Sequence, residues 1–66
     1  MRKLLITTHP VDSKAFANKL EREYRVDVIF RSDTQFLIKV PWFVSIVTVI
    51  GLLKSDNDVK SIEEYL

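Results

Sequence analysis

Residues 26–40, VDVIFRSDTQFLIKV, constrain the fold more than any other stretch of this sequence. Inward and outward positions alternate on both sides of Ser32-Asp33-Thr34, and this period of two is typical of two strands joined by a turn. With these three residues as the loop, the predicted cross-strand pairs are Phe30–Phe36, Val28–Ile38 and Asp27–Lys39. Aromatic pairs and opposite charges favour that register. A slip of one residue would turn the apolar set to the wrong face of the sheet.

A strand and a helix are predicted before this hairpin. The β-rich run KLLITT ends at His9-Pro10, a pair that favours extended backbone. Asp12 then suits the N-cap of a helix, because Val11 and Phe16 have the spacing of a hydrophobic staple. Apolar residues recur after it at helical spacing and predict an amphipathic helix of about three turns; they are Phe16, Ala17, Leu20 and Tyr24.

Pro41 suits the first turn of a second helix, which we predict over residues 42–54. Its length and its lack of alternation favour a helix over a strand. The predicted core stripe is Phe43, Ile46, Val47, Ile50 and Leu53. The run VKSIEEYL is predicted as the last strand.

The resulting order of strand, helix, strand, strand, helix, strand predicts a ferredoxin-like α+β fold. Residues 1–66 would form one domain, with a four-stranded antiparallel sheet and both helices on one face. A chain of 66 residues buries only about 60% of its unfolded surface, so its core is thin. Small domains compensate with disulfides, metals or partners. Cysteine is absent and His9 is the single histidine, so we expect a partner instead.

Two segments resemble targeting or membrane sequences. Leu4-Leu5-Ile6 is shorter than the roughly 7–15 apolar residues of a signal peptide. The apolar stretch at residues 40–53 is shorter than the about 20 residues that cross a bilayer. We therefore predict a cytoplasmic protein without a membrane span.

Residues suited to catalysis are few, and we predict a protein that is not an enzyme and has no cofactor or metal. His9 could pair with Asp12, but a surface histidine is usually incidental. Glu63 and Glu64 are adjacent on a strand, so they point to opposite faces and cannot act together on one substrate. Gly51, the single glycine, lies in a helical stretch and forms no phosphate-binding loop.

The open face of the predicted sheet carries an apolar stripe of Leu5, Ile29, Leu37 and Tyr65 with charges around it. Such a contiguous patch is typical of a surface that binds another protein. The alternative is scattered apolar residues without a function. A second alternative is a nucleic-acid-binding protein that uses Arg2, Lys3, Arg31 and Lys39.

The second helix predicts self-association. If its core stripe faces the sheet, Trp42, Val49 and Leu52 lie toward the outside. Leaving three large apolar side chains in water forfeits roughly 1.5–3 kcal/mol for each of them. A homodimer would cover them, unless the helix is rotated or irregular.

The ending LKSDNDVKSIEEYL resembles the C-terminal part of the subtilisin propeptide family, which includes inhibitors of subtilisin-like serine proteases. The matching residues are Leu53, Lys54, Asp56, Val59, Ile62, Glu63 and Glu64. The resemblance implies a ferredoxin-like fold whose open sheet face binds the protease and whose acidic residues meet helix N-termini. Partner contacts would then also include Tyr65 and Leu66. Asn57 and Tyr65 depart from the family pattern, and the family's tail continues beyond the position of Leu66, so a chaperone-like relative that does not inhibit is the alternative.

Overall fold

The computed structural model describes residues 2–65. Its six elements are β1 (Arg2–Thr8), α1 (Ser13–Glu23), β2 (Asp27–Arg31), β3 (Gln35–Val40), α2 (Ile46–Lys54) and β4 (Val59–Tyr65). The strands form one antiparallel sheet in the order β2-β3-β1-β4. This is the predicted ferredoxin-like βαββαβ arrangement.

Both helices bury apolar residues in a single cluster on one face of the sheet. The sheet contributes Leu4, Ile6, Phe36, Ile38 and Val40, and the helices contribute Phe16, Ala17, Leu20, Val49 and Leu53. Phe16 and Phe36 join the two layers, with ring centroids 4.9 Å apart. No helix within residues 2–65 is long and apolar enough to cross a membrane.

Asp12 caps α1 as predicted. Its side chain accepts hydrogen bonds from the backbone N–H groups of Lys14 and Ala15, both at 3.1 Å. These bonds satisfy two of the N–H groups that a helix start leaves without partners. At the other end, Arg25 takes a positive φ of 58°, the left-handed conformation that often ends a helix.

The β2–β3 hairpin keeps the predicted register at its open end but not near its turn. Asp27 pairs with Lys39 and Val28 pairs with Ile38, as predicted. A bulge at Ile29 then shifts the pairing, so Phe30 lies opposite Leu37 instead of Phe36. The extra residue changes which side chains face the helices, as a bulge generally does. The predicted Phe30–Phe36 pair is therefore wrong.

Ser32 organises the hairpin turn, which contains no glycine. Its Oγ accepts a hydrogen bond of 2.9 Å from Gln35 N, and its backbone N–H donates to Gln35 O at 2.8 Å. The turn is also held from outside, because Thr34 O accepts from Thr8 N and Asp33 O accepts from Val11 N. Side-chain and tertiary hydrogen bonds thus replace a glycine turn.

The second helix begins later than predicted, at Ile46, with Ser45 as its N-cap. Residues 41–44 form a turn instead, in which Val44 N donates to Pro41 O at 3.0 Å. The predicted core stripe was drawn through Phe43 as if it were helical, and at helical spacing that choice included Val47 and left out Val49. In the structure Val49 is 2% exposed, whereas Val47 is 76% exposed and Phe43 is 65% exposed.

Candidate functional site

The open face of the sheet carries an apolar row that crosses three strands. Phe30 on β2 lies opposite Leu37 on β3, and Leu37 lies opposite Leu5 on β1. Leu5 in turn lies opposite Glu63 on β4, so the row ends in a carboxylate. Leu5 and Leu37 are half-buried by their neighbours, while Phe30 is 53% exposed. We call Leu5, Phe30 and Leu37 the apolar row.

A polar row runs parallel to it, two residues along β1 and β3 and so about 7 Å away. On β2 the separation is three residues because of the bulge. Lys39 lies opposite Asp27 on one side and Lys3 on the other, and Lys3 lies opposite Tyr65. Two lysines directly across from each other repel, and Asp27 compensates only at one end. The open face therefore combines an apolar row that ends in Glu63 with a polar row of two lysines and one aspartate.

The bulge adds a residue that was not predicted to this surface. Ile29 was expected in the stripe with Leu5 and Leu37; it is the bulged residue and is 50% exposed. Phe30 follows it and takes the place opposite Leu37. The sequence contained a sign of this bulge, because Val28-Ile29-Phe30 are three consecutive apolar residues and break the period of two.

Glu63 and Glu64 point to opposite faces of the sheet, as predicted, because they pair with Leu5 and Leu4 respectively. Glu64 lies on the helix-covered side, where its Oε2 accepts from Arg2 Nε at 3.0 Å. Both partners are exposed, so this ion pair contributes at most about 1 kcal/mol. Of the two glutamates, Glu63 is thus the one on the open face. Leu66, another predicted contact, lies outside the described residues.

The four basic residues proposed for nucleic acid do not share one face. Lys3 and Lys39 lie together on the open face. Arg2 pairs with Val40, and Arg31 pairs with the buried Phe36, so both arginines are on the helix-covered side. The structure therefore separates the predicted set into two pairs.

A second exposed apolar surface surrounds Trp42, which is 86% exposed. Its ring packs edge-on against Phe43, with centroids 5.7 Å apart and an interplanar angle of 89°. Of the residues predicted for self-association, Trp42 and Leu52 are exposed. Val49 lies in the core, so its predicted place on the outside of α2 is wrong.

Lys19, Tyr24 and Asp56 form a polar cluster between α1 and the turn after α2. Asp56 Oδ2 accepts from Lys19 Nζ at 2.6 Å and from Tyr24 OH at 3.2 Å, and its Oδ1 accepts from Asp58 N at 3.0 Å. The side chain of Asp56 is only 7% exposed. Both oxygens of this carboxylate accept hydrogen bonds, so the cluster links α1 to the turn after α2.

The pKa shifts in this cluster follow from those contacts. Burial alone would raise the pKa of Asp56, but the bonds from Lys19, Asp58 and Tyr24 and the charge of Lys19 hold it below its ordinary value. The hydrogen bond to Asp56 raises the pKa of Lys19 against the opposing effect of burial. Burial raises the pKa of Tyr24, and the negative charge of Asp56 adds to the rise.

The possible pair of His9 and Asp12 is not formed within residues 2–65. His9 is held through its backbone, where its N–H donates to Asp58 O at 2.9 Å, while Asp12 uses its carboxylate to cap α1. In the same part of the chain, no three histidine, aspartate or glutamate residues are grouped closely enough to hold a metal ion.

Comparison with known protein families, curated proteins and solved structures gives no significant match to this chain. The resemblance of residues 53–64 to subtilisin propeptides therefore stays a prediction.

Proposed function

We propose that this chain is a small non-catalytic protein-binding module that docks the open face of its sheet on another protein. The observation that carries the proposal is the apolar row, which brings Leu5, Leu37 and Phe30 side by side across β1, β3 and β2. These residues come from separate parts of the sequence and form one continuous patch.

The surroundings of the apolar row fit an interface. Protein interfaces have an apolar centre and a polar rim, and here Glu63 ends the row while Lys3 and Lys39 lie beside it. Phe30 is the largest side chain in the row and more than half exposed. Aromatic residues that enter a pocket on a partner often supply much of the binding free energy, so we expect Phe30 to be the anchor.

A subtilisin-like serine protease is the partner that we propose first, on the basis of the resemblance. Glu63 lies on the open face and forms no ion pair within residues 2–65, so its carboxylate is available to a helix N-terminus of the protease. The N–H groups and the dipole of such a helix end attract a carboxylate. Glu64 is held by Arg2 on the other side, so we assign this role to Glu63 alone.

Calorimetric titration of a purified subtilisin-like protease tests this partner. We expect saturable binding that Leu37→Asp weakens by about 30-fold or more, as for the loss of an interface anchor. Glu63→Gln should weaken binding less, and Glu64→Gln serves as the matched control because it lies on the opposite face. Absence of binding by the wild-type chain would exclude the protease as the partner.

Nucleic acid is the second candidate, favoured by the adjacent Lys3 and Lys39 beside Tyr65. Two lysines that each neutralise one phosphate predict a slope of about −1.4 in log K against log salt for a single strand. Measuring binding of a labelled single-stranded RNA at several salt concentrations tests it. An apolar sheet interface with a protein predicts a much smaller salt dependence.

We also propose that the chain forms a homodimer, through Trp42 and its neighbours and not through the sheet. The exposure of Trp42 and Phe43 supports this proposal. Water contact with large apolar side chains is unfavourable by about 25 cal/mol per Å², and a small domain has little stability to spare. Sedimentation equilibrium over a range of concentrations gives the oligomeric state.

A further inference from the structure

Trp42 forms a ridge between two clefts. The larger cleft has a volume of about 480 Å³ and is lined by Glu21, Arg25, Val26, Asp27, Pro41, Trp42 and Phe43. The smaller one, about 250 Å³, is lined by Arg2, Val40, Pro41, Trp42, Val44 and Ile46. An exposed indole thus stands beside a concave surface that is partly apolar and carries both signs of charge.

We infer that a second copy of this chain occupies the larger cleft. In a two-fold dimer, Trp42 of each protomer enters the cleft of the other, and Arg25 of each meets the carboxylates of Glu21 and Asp27 across the interface. The inference rests on the homodimer proposed above and specifies how it forms.

The exposed apolar area is of the size that such a dimer needs. From the 150–250 Å² that an aromatic side chain can bury, Trp42 and Phe43 together offer roughly 300 Å² at their exposures of 86% and 65%. Val47, in the first turn of α2, is 76% exposed and extends this surface. A standard interface buries about 800 Å² on each partner. The apolar side chains supply around half of that area, and the polar residues around the cleft, Glu21, Arg25 and Asp27, would form part of the rim.

The cleft is an open depression of about 480 Å³, which is large enough to receive an indole ring. Trp42 belongs to the wall of the same cleft that it would fill in the other protomer. Because Trp42 both lines a cleft and fills one, a two-fold axis can pass close to it. A contact about a two-fold axis gives a closed dimer and not a longer assembly.

The charged residues of the cleft in one copy complement those of the same cleft in a second copy. Within residues 2–65 the ion pairs are Arg2–Glu64 and Lys19–Asp56. Glu21 and Arg25 therefore form no ion pair in this part of the chain, and Asp27 has only the charge of Lys39 opposite it in the sheet. A two-fold axis brings Arg25 of each copy towards the acidic residues of the other and forms the contact twice. An anionic membrane or a nucleic acid would need a basic rim, and this cleft has two carboxylates against one guanidinium.

Sedimentation equilibrium of matched variants tests the position of the interface. We expect Trp42→Lys to raise the dimer dissociation constant by about 30-fold or more, as at an interface anchor. Leu52 was grouped with Trp42 in the sequence analysis, but it does not line the cleft, and five residues along a helix place it about 140° around α2 from Val47. Leu52→Lys is therefore the control. It should change the constant by no more than about threefold. Circular dichroism of each variant verifies that it is folded.

Exchange of charges tests the mode of pairing. Arg25→Glu alone and the double variant Glu21→Lys/Asp27→Lys alone should each dimerise more weakly than the wild type, because like charges then meet. An equimolar mixture of the two should form heterodimers with affinity close to that of the wild type.

These experiments distinguish the homodimer from the cleft as its interface. A wild-type chain that stays monomeric at every concentration overturns the homodimer and this inference with it. A dimer that Trp42→Lys leaves intact keeps the homodimer but overturns the cleft as its site. A mixture that fails to restore affinity overturns the pairing of Arg25 with the acidic residues.

Discussion

Lys19 Nζ donates a 2.6 Å hydrogen bond to Asp56 Oδ2 and thereby joins α1 to the turn that follows α2. The two residues are 37 positions apart in the chain. Tyr24 donates to the same oxygen from the end of α1. The cluster therefore links the two helices on the side of the sheet where both bury their apolar residues.

Removal of the Asp56 carboxylate should destabilise the fold. Asp56→Ala leaves the hydroxyl of Tyr24 and the N–H of Asp58 without their acceptor, and we expect the free energy of unfolding to fall by about 2 kcal/mol. Urea denaturation measures the change. Asp58→Ala, which removes an exposed carboxylate from the same turn, is the control. Equal effects of the two substitutions would contradict the role given to Asp56.

The same carboxylate predicts a pH dependence. Because the pKa of Asp56 is lower in the folded state than its ordinary value of 3.8, its ionised form stabilises the fold. That contribution is complete well above pH 3.8 and declines as the pH falls below that value towards the lowered pKa. Asp56→Asn should therefore lose less stability than the wild type on acidification through this range. Denaturation curves at a series of acidic pH values test it, and parallel losses would contradict it.

Arg25 has a backbone conformation that glycine adopts more readily. A non-glycine residue in the left-handed region costs roughly 1 kcal/mol, and Arg25 has φ of 58°. We expect Arg25→Gly to raise the free energy of unfolding by about 0.5–1 kcal/mol. Arg22→Gly, inside α1, should lower it by about 1 kcal/mol. Denaturation at low protein concentration separates this effect from any change in self-association.

Thr8 places a hydroxyl in the core, where its Oγ1 has no hydrogen-bond partner among the described residues. Burying such a group costs about 1–3 kcal/mol in proteins. Thr8→Val replaces it with a methyl group of similar shape and should leave stability unchanged or raise it by about 1 kcal/mol. Thr8→Ser keeps the hydroxyl but removes a methyl group, and should cost about 1 kcal/mol. Thermal denaturation of both variants shows whether the buried hydroxyl of Thr8 destabilises the fold.

The order of elements could be predicted because each has a local signal. Asp12 marks the start of α1, and the alternation around Ser32-Asp33-Thr34 marks the hairpin. These signals involve residues close in sequence, so neither depends on the tertiary structure. The end of the hairpin far from the turn, Asp27 opposite Lys39, was predicted correctly for the same reason.

Two local details were missed because a competing pattern was stronger. The helix was predicted to begin at residue 42 because the residues after Pro41 are almost all apolar. Ser45 is the N-cap instead, and serine before an apolar run is a known start signal. The expected alternation hid the bulge at Ile29, which decides that Phe30 belongs to the open face. The cluster of Lys19, Tyr24 and Asp56 left no sequence signal, because its members meet only when the two helices are packed.

The most direct test of the central claim is capture of partner proteins from the source cell by matched variants of this chain at low and high salt. The wild type and Leu52→Asp, which alters an exposed residue of α2 outside both the apolar row and the cleft, should capture the same partner at both salt concentrations. Leu37→Asp places a charge in the middle of the apolar row and should abolish that capture while the chain stays folded. Capture by Leu37→Asp that equals capture by the wild type would contradict the assignment of the open sheet face as the binding surface.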